Sequence, residues 1–204
     1  KFKAVRKFED PEPGEILVIG VGSATAFYVV DHDSQVIGKL VEFLQGADFT
    51  GTIFSRVPIE GTFPMEAARI NTTNAMPDVV ISMRWFNEKS DLGVPGLVAA
   101  DLGTRGKGTH GSLSPYDMHN TLVASGPDFK PGFVSELPSS SVDLAPTILW
   151  ILGVPQPQPM DGRVLHESLV RSSTTPPKPV TKTMKASRDF GWFSWSQYLK
   201  YTQV

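Results

Sequence analysis

The chain has 204 residues, 40% hydrophobic and 20% charged, with a formal net charge of -2. That is a globular composition without the basic excess that binding a nucleic-acid polymer calls for, and no apolar run approaches the roughly 20 residues that cross a bilayer. Cysteine is absent, so a disulfide framework is excluded and any metal ion must take histidine, carboxylate or hydroxyl ligands.

The opening stretch, "KFKAVRKFEDPEPGE", carries neither an initiating Met nor a signal peptide and reads as the interior of a longer protein. "ILVIGVG" (16–22) is an apolar run closed by glycines, the pattern of a buried strand, and "AFYVV" (26–30) follows as its partner. From Ser34 the period changes: Val36, Ile37, Leu40, Val41 and Leu44 fall at helical spacing, with Ser34 placed as the N-cap and Gly46 as the stop. "GTIFSRV" (51–57) and "DVVISMRW" (78–85) read as strands, so strand, helix and strand alternate as in an α/β layer.

Residues 87–115 are rich in Gly, Pro and Ser and read as one long loop, a length that in compact proteins carries function. "NTLVASGP" (120–127) is the strand expected to leave it. "SSSVDLAPTILWILGV" reads as a helix over 142–152, capped near Ser141 or Asp143, with Pro146 in its first turn and Gly153 at its end. "DGRVLHESL" (161–169) reads as a short second helix and "STTPPKP" (173–179) as a polar linker. The tail "GWFSWSQYLKYTQV" alternates aromatic and polar residues as a half-buried strand does. The strands at 16–20, 51–57, 78–85 and 120–125 are expected in one sheet, with the helices at 34–45 and 142–152 packed on it.

Of the four histidines, His110 is singled out because Gly106, Gly108 and Gly111 surround it. Glycines let a backbone fold away and leave an imidazole aimed at an ion, and neutral imidazole is a common zinc ligand. Asp101 is a candidate hydrogen-bond partner for the free ring nitrogen of His110. Arg105 and Lys107 are candidate contacts for an anionic phosphate, and His119 is a candidate substrate contact. Asp31, His32 and Asp33 stand just before a helix, so capping and dipole pairing account for the acids better than a metal cluster does. Asp143 and Asp161 are likewise assigned to capping and turn formation.

Three stretches resemble the alkaline phosphatase superfamily, in its type I phosphodiesterase/nucleotide pyrophosphatase branch. "GTHG" (108–111) followed by "DMHNTLVASGPDFKPG" (117–132) is similar to that branch's histidine loop. "VDLAPTILWILGVPQPQPMDGRVL" (142–165) is similar to the closing helix and DGR turn, and "MPDVVISMRW" (76–85) to the strand before the loop. The resemblance implies a partial alkaline-phosphatase-like α/β fold, a central mixed sheet flanked by helices. Residues 1–172 would be the C-terminal portion of the catalytic domain, and 173–204 a linker and aromatic strand. It implies hydrolysis of a small phosphodiester or nucleotide pyrophosphate by two divalent metal ions, typically zinc, with a Thr or Ser nucleophile.

Only the last histidine ligand carries over, onto His110. The family's Asp-His-Gly motif is absent from the 204 residues. The nucleophile and remaining ligands are therefore expected upstream of Lys1, in an N-terminal part of the same protein, and this portion is expected to be inert alone. The resemblance favours a location outside the cytoplasm, periplasmic or secreted. A phosphomonoesterase, sulfatase or phosphoglycerate-mutase-like member is the nearer alternative, and a non-catalytic supporting module the more distant one.

Overall fold

The computed structural model describes residues 3–5, 10–70, 75–101 and 110–204 of the chain. Lys1–Asn120 and Met184–Leu199 form one unit; Thr121–Thr183 and Lys200–Val204 form a second. The architecture is mixed α/β, with a mixed central sheet and few helices.

In the first unit, β1 (Lys3–Val5), β2 (Glu15–Gly20), β3 (Ala24–Val29), β4 (Thr50–Ser55), β5 (Phe63–Pro64) and β6 (Val79–Met83) form one sheet in the order β1-β2-β3-β6-β4-β5. The two outer pairs are parallel and the inner ones antiparallel. The expected strands at 16–20, 51–57 and 78–85 thus share a sheet. Helix α1 (Ser34–Gln45) lies where the helical period put it, but its cap is Asp33. The Asp33 carboxylate accepts from Gln35 N (2.8 Å) and Val36 N (3.2 Å), and a carboxylate satisfies two orphan amides where the Ser34 hydroxyl was expected to serve one.

An isolated helix of this length is marginal in water, so packing decides whether it forms. Ile37, Leu40, Val41 and Leu44 are buried against Ile16, Phe27, Val29, Ile53, Val79, Ile81 and Met83. At about 1.5–3 kcal/mol for each large side chain removed from water, that stripe outweighs the helix's own propensity. A second cluster forms around Phe54, Phe63 and Met65, with Val80 and Leu113 against it.

The long loop expected over 87–115 contains structure. Strands β7 (Trp85–Lys89) and β8 (Pro95–Val98) make an antiparallel hairpin. Ser90 closes it: its backbone N donates to Val94 O (2.8 Å), and its hydroxyl accepts from Val94 N (3.2 Å). Pro115–Met118 form a one-turn helix, α2. The aromatic tail is a strand as expected, β10 (Ser194–Gln203), hairpinned with a β9 (Val180–Asp189) that the sequence reading missed. Its alternation buries Trp195 and Gln197. The Gln197 amide acts like a neighbouring strand, accepting from Ile53 N (2.7 Å) and donating to Ile53 O (3.0 Å).

In the second unit the residues expected as a strand at 120–125 make no ladder. Leu122 and Val123 are exposed, and a two-residue apolar run without alternation gives a strand no face to bury. Helix α3 (Leu144–Leu152) ends at Gly153 as expected, preceded by a 3-10 turn at Ser141–Asp143. The second helix expected at 161–169 reduces to one 3-10 turn, His166–Ser168. Its first residues are packed against the turn before α3: a Cβ at Gly162 would collide with the Val142 carbonyl, and Arg163 N donates to Asp143 Oδ1 (2.8 Å).

Asp143 is the hub of this unit, its other oxygen accepting from Ser140 N (2.8 Å). Arg163 grips Glu167 through two hydrogen bonds of 2.8 and 2.7 Å, and the Glu167 side chain is almost fully buried. Those bonds, against the opposing cost of burial, hold the Glu167 carboxyl below the 4.5 of an ordinary glutamate and the Arg163 guanidinium above its usual range. A carboxyl lowered on folding stabilises fully above its unfolded value, and that contribution is lost as pH falls through the folded one. Glu167→Gln should therefore lower unfolding free energy by about 1.5–3 kcal/mol at pH 7, the range of hydrogen bonds to charged groups. In urea unfolding the gap between variant and wild type should shrink toward pH 3; a gap unchanged with pH would contradict the assignment.

Candidate functional site

His110 belongs to the first unit, and its placement begins with the turn joining β2 to β3. Val21 N donates to Ala24 O (2.9 Å), closing residues 21–24. Ser23 inside this turn is 0% exposed; its carbonyl accepts from Met83 N of β6 (2.9 Å), which fastens the turn to the core. Its own N–H donates to His110 O (3.2 Å). The backbone of His110 is thereby tied to the sheet while its side chain lies exposed. Gly111 follows at φ +99, a conformation in which a side chain would be strained.

The chain after His110 is pinned by hydroxyls. Ser112 and Ser114 are both buried. Ser112 Oγ donates to Asp117 and accepts from Ser114 N (3.1 Å); Leu113 N donates to Ser82 Oγ on β6 (2.9 Å). Ser114 caps α2 through Tyr116 N, and the Tyr116 ring stands edge-on to Trp85 at 6.1 Å. Two serines in "HGSLSPYD" and Ser82 thus convert a glycine-rich stretch into an ordered one. His119 is the exposed residue that ends α2, not the entry to a strand.

Asp101 reaches the same turn. Its N–H donates to Gly22 O (2.9 Å) and its Oδ1 accepts from Gly22 N (3.1 Å). Among the described residues nothing bonds it to the His110 imidazole, the partnership the sequence had offered. Arg105, Lys107 and Gly108 lie outside the described residues. So Asp101 and His110 are brought to consecutive residues of one turn, and His119 lies a turn of helix further along.

A second cluster was not recognised as such in the sequence. Asp78, 0% exposed, accepts from Val29 N at Oδ2 (2.8 Å) and meets His32 Nδ1 at Oδ1 (2.8 Å). Arg56 Nη1 lies 3.0 Å from His32 Nε2. The same Nη1 also lies 3.3 Å from Nδ1, so the guanidinium contacts both ring nitrogens while Nδ1 faces Asp78. Asp31 and His32 both hold left-handed φ values, 56 and 52, which cost about 1–2 kcal/mol apiece. The capping role expected for the Asp31–Asp33 acids holds for Asp33 alone. The signal that could have found the pairing was Asp78, an acid opening an otherwise apolar strand run.

Among the described residues no group of three or more His, Asp or Glu is placed to hold a metal ion, and no helix is long and apolar enough to cross a membrane. Compared with protein-family models, curated proteins and solved structures, the chain matches none of them.

The Asp78 cluster makes a clear stability prediction. Asp78→Ala strands the buried Val29 N–H, which costs about 1–3 kcal/mol. His32→Ala, although that side chain is 56% exposed, leaves Oδ1 of the buried carboxylate without its imidazole partner and should also cost about 1–3 kcal/mol. Urea unfolding of both variants checks this; a loss below about 0.5 kcal/mol for either would contradict it.

Proposed function

We propose that this chain is the C-terminal portion of a metal-dependent hydrolase that cleaves small phosphodiesters or nucleotide pyrophosphates, built on a partial alkaline-phosphatase-like fold. One observation carries the reading: His110 has its backbone fastened to a wholly buried serine while its exposed imidazole is bonded by no described residue. An anchored backbone with, among the described residues, no partner on the ring fits a metal ligand placed in advance.

The fit is partial by construction. His110 offers one imidazole nitrogen, and the described residues supply no further ligand set. Zinc, when bound, supplies Lewis-acid polarisation of the phosphoryl oxygens. His110 would hold that ion through one ring nitrogen. Arg105 and Lys107, by their charge, would attract an anionic phosphate. The nucleophile and remaining ligands belong to a part of the protein preceding these 204 residues, and the order of the three resembling stretches supports that placement.

His110→Ala should cut turnover of a nitrophenyl phosphodiester and bound zinc by at least about 10–100-fold in the full-length protein, because removing even an outer partner of a ligand costs that much. Metal-free stability should change by less than about 0.5 kcal/mol, since an exposed loop residue buries little. His119→Ala and His32→Ala serve as controls and should retain zinc. Retention of metal and rate by His110→Ala, with loss in either control, would contradict the assignment.

A further inference from the structure

We propose that Asp101 is a positioning residue for His110 that acts through the β2–β3 turn and not through the imidazole. This rests on the reading that His110 holds a metal ion. Asp101 and Gly22 are locked by reciprocal hydrogen bonds, Asp101 N to Gly22 O at 2.9 Å and Gly22 N to Asp101 Oδ1 at 3.1 Å. One residue along, Ser23 N holds His110 O at 3.2 Å. The loop carrying His110 therefore departs and returns at adjacent peptides of a single turn.

Two glycines show how closely the parts fit. A Cβ at position 20 would collide with Oδ2 and Cγ of Asp101, so the carboxylate occupies the space a side chain on β2 would take. A Cβ at position 111 would lie 3.6 Å from both Ala24 Cβ and Val21 O, so the backbone just after His110 rests on the same turn. The Asp101 carboxylate thus fixes the turn at Gly22, and the turn fixes His110 at Ser23. A ligand must be held to within about 0.5 Å of its productive position, and a turn free to shift would not do so.

This geometry separates the hydrogen bond from the charge. Asn at 101 keeps an oxygen to accept from Gly22 N; Ala keeps only the backbone bond to Gly22 O. It also couples two positions. A methyl at 20 displaces the Asp101 carboxylate, but causes no collision once that carboxylate is gone.

The test uses the full-length protein and the variants Asp101→Ala, Asp101→Asn, Gly20→Ala and the Gly20→Ala/Asp101→Ala double. Zinc affinity is read by competition with a chromophoric chelator, and amide hydrogen exchange is read at Gly22 and Ser23 in metal-free protein. Asp101→Ala should weaken zinc binding about 10–100-fold, the usual cost of losing an orienting partner, and speed exchange at both amides. Asp101→Asn should stay within about threefold of wild type in both readouts. Gly20→Ala should match Asp101→Ala, and the double variant should be no worse than either single.

An Asp101→Asn variant as damaged as Asp101→Ala would overturn the proposal, because charge would then be what matters. So would fully additive losses in the double variant, or an Asp101→Ala variant that keeps its zinc affinity while His110→Ala loses it. If neither His110→Ala nor Asp101→Ala affects zinc while the two amides still open, the metal reading itself has failed, and the proposal with it.

Discussion

Ser23 connects the core to the candidate site through its two backbone groups. Its carbonyl is taken by Met83 N in a central strand and its N–H reaches the carbonyl of His110, while the residue itself is sealed from water. A buried peptide with both groups bonded cannot shift without breaking one of them, at about 1–3 kcal/mol for each group left unpaired. The rigidity of the sheet is passed to a glycine-flanked loop across one residue. That is why a stretch with so little apolar content can hold the His110 backbone in a defined place.

The other polar groups that could do chemistry are largely engaged in holding the fold. Asp33 caps α1, Asp78 binds Val29 N and His32, Asp117 holds Ser112, and Asp143 organises the turn before α3. Arg163 and Glu167 satisfy each other, and the His32 ring is occupied on both nitrogens. Gln197 spends its amide closing the backbone of Ile53. Among the described residues the rings of His110 and His119 have no partner, and it is His110 whose backbone is tied to the wholly buried Ser23.

Much of the first unit was legible in the sequence because its signals are periodic. The 3.6-residue stripe from Val36 to Leu44 and the apolar runs at 16–20 and 79–83 each imply burial on one side. The failures have different physical causes. Asp33 displaced Ser34 as the cap because either residue type serves and only the backbone angles choose between them. The β9 strand carries few apolar residues, so no alternation advertised it. The helix expected at 161–169 was overridden by contacts from Val142 and Asp143, far away in sequence.

The site was half legible. Glycines around His110 identified it as unusual, but nothing in the sequence indicated that Ser23 would hold it or that Asp101 would bind Gly22. Both depend on pairing β2 with β3 and on where the chain re-enters after β8, and such long-range closure leaves no local mark. The Asp78–His32 pair was hidden for the same reason, since the two residues lie 46 apart.

The most direct measurement is anomalous X-ray diffraction at the zinc absorption edge from crystals of the full-length protein loaded with zinc. The account predicts an anomalous peak about 2.0–2.1 Å from a ring nitrogen of His110, with Ser23 N still bonded to the His110 carbonyl. Zinc bound at other residues, with the His110 imidazole in solvent, would contradict it.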